Sequence, residues 1–400
     1  MGFQHGLSGL NASARNLDVI GHNVSNANTV GAKSSRAEFA HVYATALQGR
    51  GLGVQVNEVT QQFSQGDLVS SKNPLDMAVN GSGFFRMETE SGEVQYTRNG
   101  QFQLDKSGYI VNANGDRVTG YAADVNGEIM PASSSPIRIS NADMTPKPTS
   151  EIRAVMNLDT RDEPPGIAFD VTNSRSYNSA TSLEIYDEQG RDTTLAMYFS
   201  KTGANAWDIF ATSDGTQIGA AAVGSLSFGA DGRLDAVASP MPLTIAVPTG
   251  AGGTISVEAD LSEVVQFGSV FGVNELEQDG FTTGRISGFN IEDNGEVLAR
   301  YTNGETRAHG QITLADFANP QGLVAIGGNA WVETSQSGTA VVGTPGSAQL
   351  GSIQSGALEQ SNVDLTGELV NMITAQRSYQ ANAQTVKAQD QILQTIVNLR

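Results

Sequence analysis

The 400 residues, 42 of them acidic and 23 basic for a net charge of −19, contain no cysteine. That length allows roughly two to three domains, each able to bury its own core, with no disulfide or thiolate-held metal available to staple it. The acidic balance excludes a surface that neutralises phosphates, so no nucleic acid is expected as a partner, and a mean hydropathy of −0.22 without any apolar run of about 18 residues argues against membrane insertion.

The first residues, MGFQHGLSGLNASARNLDVIGHN, have no basic stretch leading into an apolar one and do not read as a cleaved secretory signal. Either the protein stays inside the cell or it leaves by a route without cleavage. Phe3, Leu7, Leu10, Ala14, Leu17, Gly21 and Val24 recur at alternating steps of four and three, a heptad seam that predicts a helix over residues 1–24. Residues 25–70 are rich in Ser, Thr, Asn, Gln and Gly with little periodicity and read as a connector, as do residues 352–363 on the return path. The segment Thr334–Gly351 shares that composition.

From Asp76 to Gly127 short apolar runs alternate with the dipeptides Asn80-Gly81, Ser91-Gly92, Asn99-Gly100, Ser107-Gly108, Asn114-Gly115 and Asn126-Gly127, the grammar of an antiparallel meander. It returns at Asp279-Gly280, Asn294-Gly295 and Asn303-Gly304. Residues 71–148 with 279–351 are therefore read as one β domain split in sequence. Pro146-Lys147-Pro148 introduces residues 149–278, an inserted outer β domain with strand-like runs Leu183–Tyr186, Leu195–Phe199, Trp207–Phe210 and Leu243–Val247, and turns at Gln189-Gly190, Asp214-Gly215 and Asp231-Gly232.

The last segment carries a second seam: Leu365, Leu369, Met372, Gln376, Tyr379, Ala383, Val386, Asp390, Leu393 and Val397, widened by Ile373, Ile392 and Ile396. No Pro precedes Pro74 or follows Pro345, so both ends can be unbroken helices, the second capped by Asn362 or Asp364. Polar Gln376 reads as a register-fixing position; at Asp390 the stripe drifts and Ile392 faces inward. Both ends are electrically neutral, with Arg15 against Asp18, and Asp364, Glu368 and Asp390 against Arg377, Lys387 and Arg400. Burial in a single two-helix contact does not offset the ordering of both helices, so the ends are expected to be loose in the monomer and to fold as several copies pack together. The predicted fold class is mixed and mainly β: N- and C-terminal helices (1–24 with 364–400) pairing as a coiled coil, the split β domain, and the insertion nested within it.

Catalytic signatures are lacking. His5, His22, His41 and His309 stand in no HExxH or spaced ligand pair, and no GxSxG, SxxK or GxxxxGK[ST] occurs. Gly49-Arg50-Gly51-Leu52-Gly53 lacks a full phosphate-loop fingerprint, and Asn112–Asp116 lacks the acidic first position and closing Glu of a calcium loop. Carboxylates such as Glu184 with Asp187, or Asp159 with Asp162 and Glu163, are as close as 42 acids in 400 residues become by chance. No enzyme activity, cofactor or metal is expected.

Two long runs at the ends resemble the signatures of the bacterial flagellar rod and hook protein family: LSGLNASARNLDVIGHNVSNANTVGAKSSRAEF, Leu7 to Phe39, and GALEQSNVDLTGELVNMITAQRSYQANAQTVKAQDQILQTIVNL, Gly356 to Leu399. The interior runs AVNGSGFF, YTRNGQFQLDKSGYIVNANGDRVTGY, DGFTTG and FANPQGL are similar to the family's shared β domain. Rod members of the family are shorter, so the length and the insertion point to its hook branch. The resemblance implies a subunit exported through the flagellar type III apparatus without signal cleavage. Beyond the outer membrane it polymerises with itself into a short curved tube that transmits torque as a universal joint, its terminal helices lining the channel. It also implies as neighbours a distal rod protein, a cap scaffold, a length ruler and a hook-filament junction protein. The alternatives are a distal rod subunit of the same family and, in a different class, an exported β-rich binding module or enzyme.

Overall fold

The computed structural model describes residues 2–44, 50–249 and 252–398, and among these every side chain except those of residues 2–3, 42–44, 50–52 and 396–398. Two helices bracket a β-rich chain: α1 (Gly2–Ser25) and α2 (Leu365–Asn398). The chain divides into two compact units, one of residues 1–141, 288–300 and 306–400, the other of residues 142–287 and 301–305.

In the first unit the chain leaves α1 into β1 (Ser35–Ala44) and β2 (Arg50–Gln61), an antiparallel pair running from Ser35 opposite Gln61 to Ala44 opposite Arg50. The connector read over residues 25–70 thus contains a paired set of strands. Two register shifts, between Glu38 and Phe39 and between Val42 and Tyr43, break the period-two alternation that marks a strand in sequence. The return connector is also strand: Ser352–Ser355 pairs with β4 (Met77–Asn80), and Ala357–Glu359 pairs with β3 (Leu68–Ser70). Val341–Gly343, within the polar stretch that ends at Gly351, pairs with Leu314–Asp316. These short strands carry too few residues for periodicity to register; their partners, near in sequence for Val341–Gly343 and nearly 300 positions away for the other two, make them strands.

The sheet that follows runs in space Glu296–Tyr301, Thr306–Ile312, Arg117–Ala122, β5 (Phe84–Glu88), β6 (Val94–Thr97), Ala330–Val332 and Val324–Gly327, each pair antiparallel. Strands from both sides of the long insertion thus interleave in one sheet. Its core is aromatic. Phe84 meets Phe63, Phe317 and Trp331 edge-on at 5.4–5.9 Å between ring centres, and Tyr96 meets Phe317 at 4.8 Å. Burial, followed by the Glu333 carboxylate that accepts its hydroxyl at 3.2 Å, pushes the Tyr96 pKa up to about 12.

Glycine serves two different purposes in the Xaa-Gly dipeptides. At Gly92, Gly108, Gly115, Gly127, Gly295 and Gly304 φ is positive, as tight turns require. At Gly100 it is not: a Cβ there would lie 1.5 Å from the Met77 carbonyl oxygen, so this glycine admits a backbone crossing rather than a turn. Gly280 is similar, its Cβ position 2.4 Å from Thr149 Oγ1.

The second unit is a sandwich. One sheet holds Leu243–Pro248, Thr254–Asp260, Glu151–Asp159, Val265–Phe267 and Gly272–Gln278; the other holds Ser179–Tyr186, Asp192–Gly203, Ala206–Ser213, Thr216–Gln217 and Gly224–Ser227. Alternate residues face inward, Ile152, Ala154, Met156 and Leu158 from one sheet against Leu195, Met197, Phe199, Trp207 and Ile209 from the other, forming one buried cluster.

At one corner of this unit Asp279 accepts hydrogen bonds from the Ser150 amide (2.8 Å) and hydroxyl (2.6 Å) and the Glu151 amide (2.8 Å), and pairs with Lys147 at 2.9 Å. Burial by itself raises its pKa, but these donors outweigh burial and hold the carboxyl well below the usual range. A depressed folded pKa means that the stabilisation is complete above the unfolded value of ~3.9 and is lost as pH falls below it. Asp279→Asn is therefore expected to flatten the acid limb of this unit's melting temperature between about pH 4 and 2. An unchanged slope in thermal melts across that range would refute the assignment.

Candidate functional site

The two terminal helices are each fixed locally before they meet. The His22 carbonyl at the end of α1 accepts the Asn26 amide (3.1 Å), the Asn26 side chain (2.9 Å) and the Ser25 hydroxyl (2.8 Å), which closes the helix. At the start of α2, Asp364 Oδ1 accepts the Thr366 amide at 3.0 Å, so Asp364 is the cap. Asn362, the other capping candidate, instead clamps two passing strands: it accepts from the Ser34 amide at 2.8 Å and donates to the Gln62 carbonyl at 2.8 Å.

Helices α1 and α2 pack antiparallel in unit one through small and polar side chains. A Cβ on Gly6 would come 2.8 Å from Val386 Cγ2, and one on Gly9 would come 2.8 Å from Asn382 Oδ1, so these glycines let the helix axes approach closely. Asn382 donates to Ser13 Oγ at 3.4 Å, and Asn23, 2% exposed, donates to Glu368 Oε1 at 3.4 Å while exchanging 2.8 Å bonds with the Ser35 backbone. Ala12, Ile20 and Ala375 are buried beside them. On its other side α1 rests on the hairpin, where the Val54 amide donates to Ser8 Oγ at 3.4 Å.

The pairing stripe of α1, Gly6, Gly9, Ser13, Ile20 and Asn23, lies one residue ahead of the predicted apolar seam, and so about 100° around the helix. Leu7 stays 45% exposed, and Leu10, Ala14, Leu17 and Val24 are half-buried. On α2, Leu365 (43%) and Leu369 (45%) are exposed, with Gln376, Tyr379 and Leu393; Met372 and Ala383 are half-buried, and Val386 meets α1 at Gly6. Ile373 and Ile392 extend the exposed apolar stripe, so Ile392 does not face inward within the single chain as expected. The side chains of Phe3, Ile396 and Val397 lie outside the described residues. Sequence reasoning missed the small-residue stripe because apolar periodicity carries no signal for Gly, Ser and Asn; the same three-four spacing one position earlier marks it.

Several of the chemistry-bearing residues singled out in sequence have structural partners. Asp187 accepts the Gln189 and Arg191 amides and the Arg191 side chain, and Asp159 is held by Arg161 at 2.7 Å, each closing a turn. Asn112 and Asp116 bond each other across their turn at 2.9 Å. His5 and His41 line one small cleft with Ser8 and Asn382. Among the described residues no group of three or more His, Cys, Asp or Glu converges as a metal site would require.

Comparison with known proteins follows the same layout. Residues 3–33 match the family described as flagella basal body rod protein, residues 78–145 the hook protein FlgE/F/G D1 domain, residues 157–281 the flagellar basal body protein FlaE D2 domain, and residues 354–399 the basal body rod FlgEFG C-terminal segment. Over the full length of both chains the sequence is 42% identical to the flagellar hook protein FlgE of Escherichia coli K12 and 40% identical to that of Salmonella typhimurium. The chain belongs to the flagellar hook protein family. A hook relative in Borreliella burgdorferi is 30% identical over 99% of this chain and 98% of its own. The crystal structure of Helicobacter pylori hook protein FlgE2 matches with a TM-score of 0.57 at 15% identity, covering 73% of this chain and all of that one, which shows the shared fold. Hook family members are structural components of the flagellum.

Proposed function

We propose that this structural subunit of the flagellar hook assembles with copies of itself through the exposed apolar stripes of α1 and α2. The observation that carries the reading is the division of labour on each helix: small and polar side chains make the contact within the chain, while Leu7, Leu365, Leu369, Ile373 and Leu393 remain exposed on helices with no net charge. Packing those stripes against neighbouring copies buries apolar area that one chain leaves in water. Locked helices near the axis and an acidic, weakly adhesive β surface outside suit a curved tube that bends while it transmits torque. The second unit, residues 142–287 and 301–305, carries 21 of the 42 acidic residues and 8 of the 23 basic ones.

In this reading residues 1–24 with 364–400 form the helical layer, residues 71–148 with 279–351 the split β domain and residues 149–278 the outer insertion. The subunit's neighbours are a distal rod protein, the cap scaffold, the length ruler and the junction protein, and it reaches the cell exterior through the type III apparatus without cleavage. Membership of the hook family supports each of these. Electron microscopy of the full chain in high sulfate, which strengthens apolar burial, beside a chain lacking residues 2–24, tests the reading. Curved tubes from the full chain alone are expected; straight tubes favour a rod subunit, and tubes from both chains refute assembly through the helices.

A further inference from the structure

The passage from the terminal helices into the β-rich part of unit one is pinned by a buried charge cluster. Glu359, on the strand just ahead of α2, accepts Lys33 Nζ at 2.7 Å and the Gly66 amide at 2.9 Å on one oxygen, and Arg98 at 3.2 Å on the other. The Lys33 and Glu359 side chains are 0% exposed and Arg98 is 4% exposed. Lys33 also donates to the Ser64 carbonyl at 2.8 Å, and Arg98 to the Gly81 carbonyl at 2.9 Å while lying 5.3 Å from the centre of the Phe84 ring. The backbone closes the same point: the Gly31 amide donates to the Glu359 carbonyl at 2.8 Å, and Gln360 donates to Asp67 at 2.9 Å. Gly31, with φ +69°, and Gly66 have no room for a Cβ, which would meet Asn99 N at 2.6 Å and Gln360 O at 2.0 Å.

Two cations and one anion make an expensive way to fill such a space. Burial drags the pKa values of both Lys33 and Arg98 down against the pull of Glu359, and Arg98 Nε has no partner. Apolar residues of like volume often stabilise a fold as well as a buried ion cluster does, whereas removing one member strands the others. What the charges add is direction, because each hydrogen bond admits a single placement of the crossing strands.

We propose that Glu359 is a positioning residue for assembly: with Lys33 and Arg98 it fixes where the chain leaves the β-rich part for α1 and α2, and so the direction in which both helices present their apolar stripes. The choice of assembly as the outcome rests on the self-assembly reading; the local effect does not. The test uses the full chain carrying Glu359→Gln, and the combined variant Lys33→Met, Arg98→Met and Glu359→Leu. The combined variant is expected to melt within a few degrees of the parent, to exchange the amides of Gly31, Ser34 and Gln360 at least tenfold faster, and to need at least tenfold more protein to form tubes. Unchanged exchange, or unchanged tube formation by a parent that polymerises, overturns the proposal. A combined variant that melts as low as Glu359→Gln also overturns it, by making the cluster a stability element. If the parent forms no tubes, the assembly reading has failed and the exchange rates alone decide whether the cluster holds this crossing.

Discussion

Replacing Leu369 with Asp is expected to abolish tube formation while leaving the melting of both β-rich units within about a degree of the parent. In the single chain Leu369 is 45% exposed, so the substitution falls among surface changes worth about ±0.5 kcal/mol. In a packed helical layer the same position would bury a carboxylate with no partner in every subunit, costing several kcal/mol each time. At about 1.4 kcal/mol per tenfold, a cost of about 4 kcal/mol raises the concentration needed for assembly by roughly a thousandfold. Leu10→Asp is expected to act in the same way with some loss of monomer stability, since Leu10 is half-buried, and Leu369→Met is expected to assemble. Sedimentation of polymer against concentration, with calorimetry of the monomer, measures both sides. Normal tubes from Leu369→Asp would remove the stripe of α2 from the interface.

The largest loss of folding stability is expected at Trp207, which is fully buried between the two sheets of the second unit and donates from Nε1 to Gln266 Oε1 at 2.7 Å. Gln266 in turn donates to Thr160 Oγ1 at 2.9 Å and to the Ala204 carbonyl at 3.1 Å, so the indole both fills the core and completes a polar chain. Trp207→Ala leaves a cavity worth about 3–5 kcal/mol and a buried acceptor without its donor, worth a further ~1–3 kcal/mol. At about 2–4 °C per kcal/mol for a unit of this size, its transition moves down by on the order of 10 °C. Trp207→Phe keeps most of the volume and should lose mainly the hydrogen bond. Calorimetry should show one transition moved and the other in place. A single transition displaced as a whole would refute independent units.

The parts of this fold that were legible in sequence are those whose physics is local. Leu7, Leu10 and Leu17, and Leu365, Leu369 and Tyr379, repeat with a helical period whatever surrounds them. Leu195, Met197 and Phe199 alternate because a strand with one buried face must, and the turns at Gly108, Gly127 and Gly304 need a positive φ that glycine adopts without strain. The hairpin Ser35–Gln61 was not legible, because its two register shifts scramble the alternation. Ala357–Glu359 escaped notice because three residues carry no period and their status as a strand comes from Leu68–Ser70.

The sequence by itself determined that two helical ends without net charge enclose an acidic, turn-rich middle of strands, since apolar period, turn chemistry and charge are properties of neighbouring residues. Only the tertiary structure decided which face of each helix is spent within the chain. Gly6 and Gly9 are silent in any hydrophobic pattern, yet they let α1 approach α2 closely while Leu7, Leu365 and Leu369 stay exposed. The same holds for Lys33, Arg98 and Glu359: three charged residues far apart in the chain say nothing until folding removes water from all of them at once, and then they must find one another.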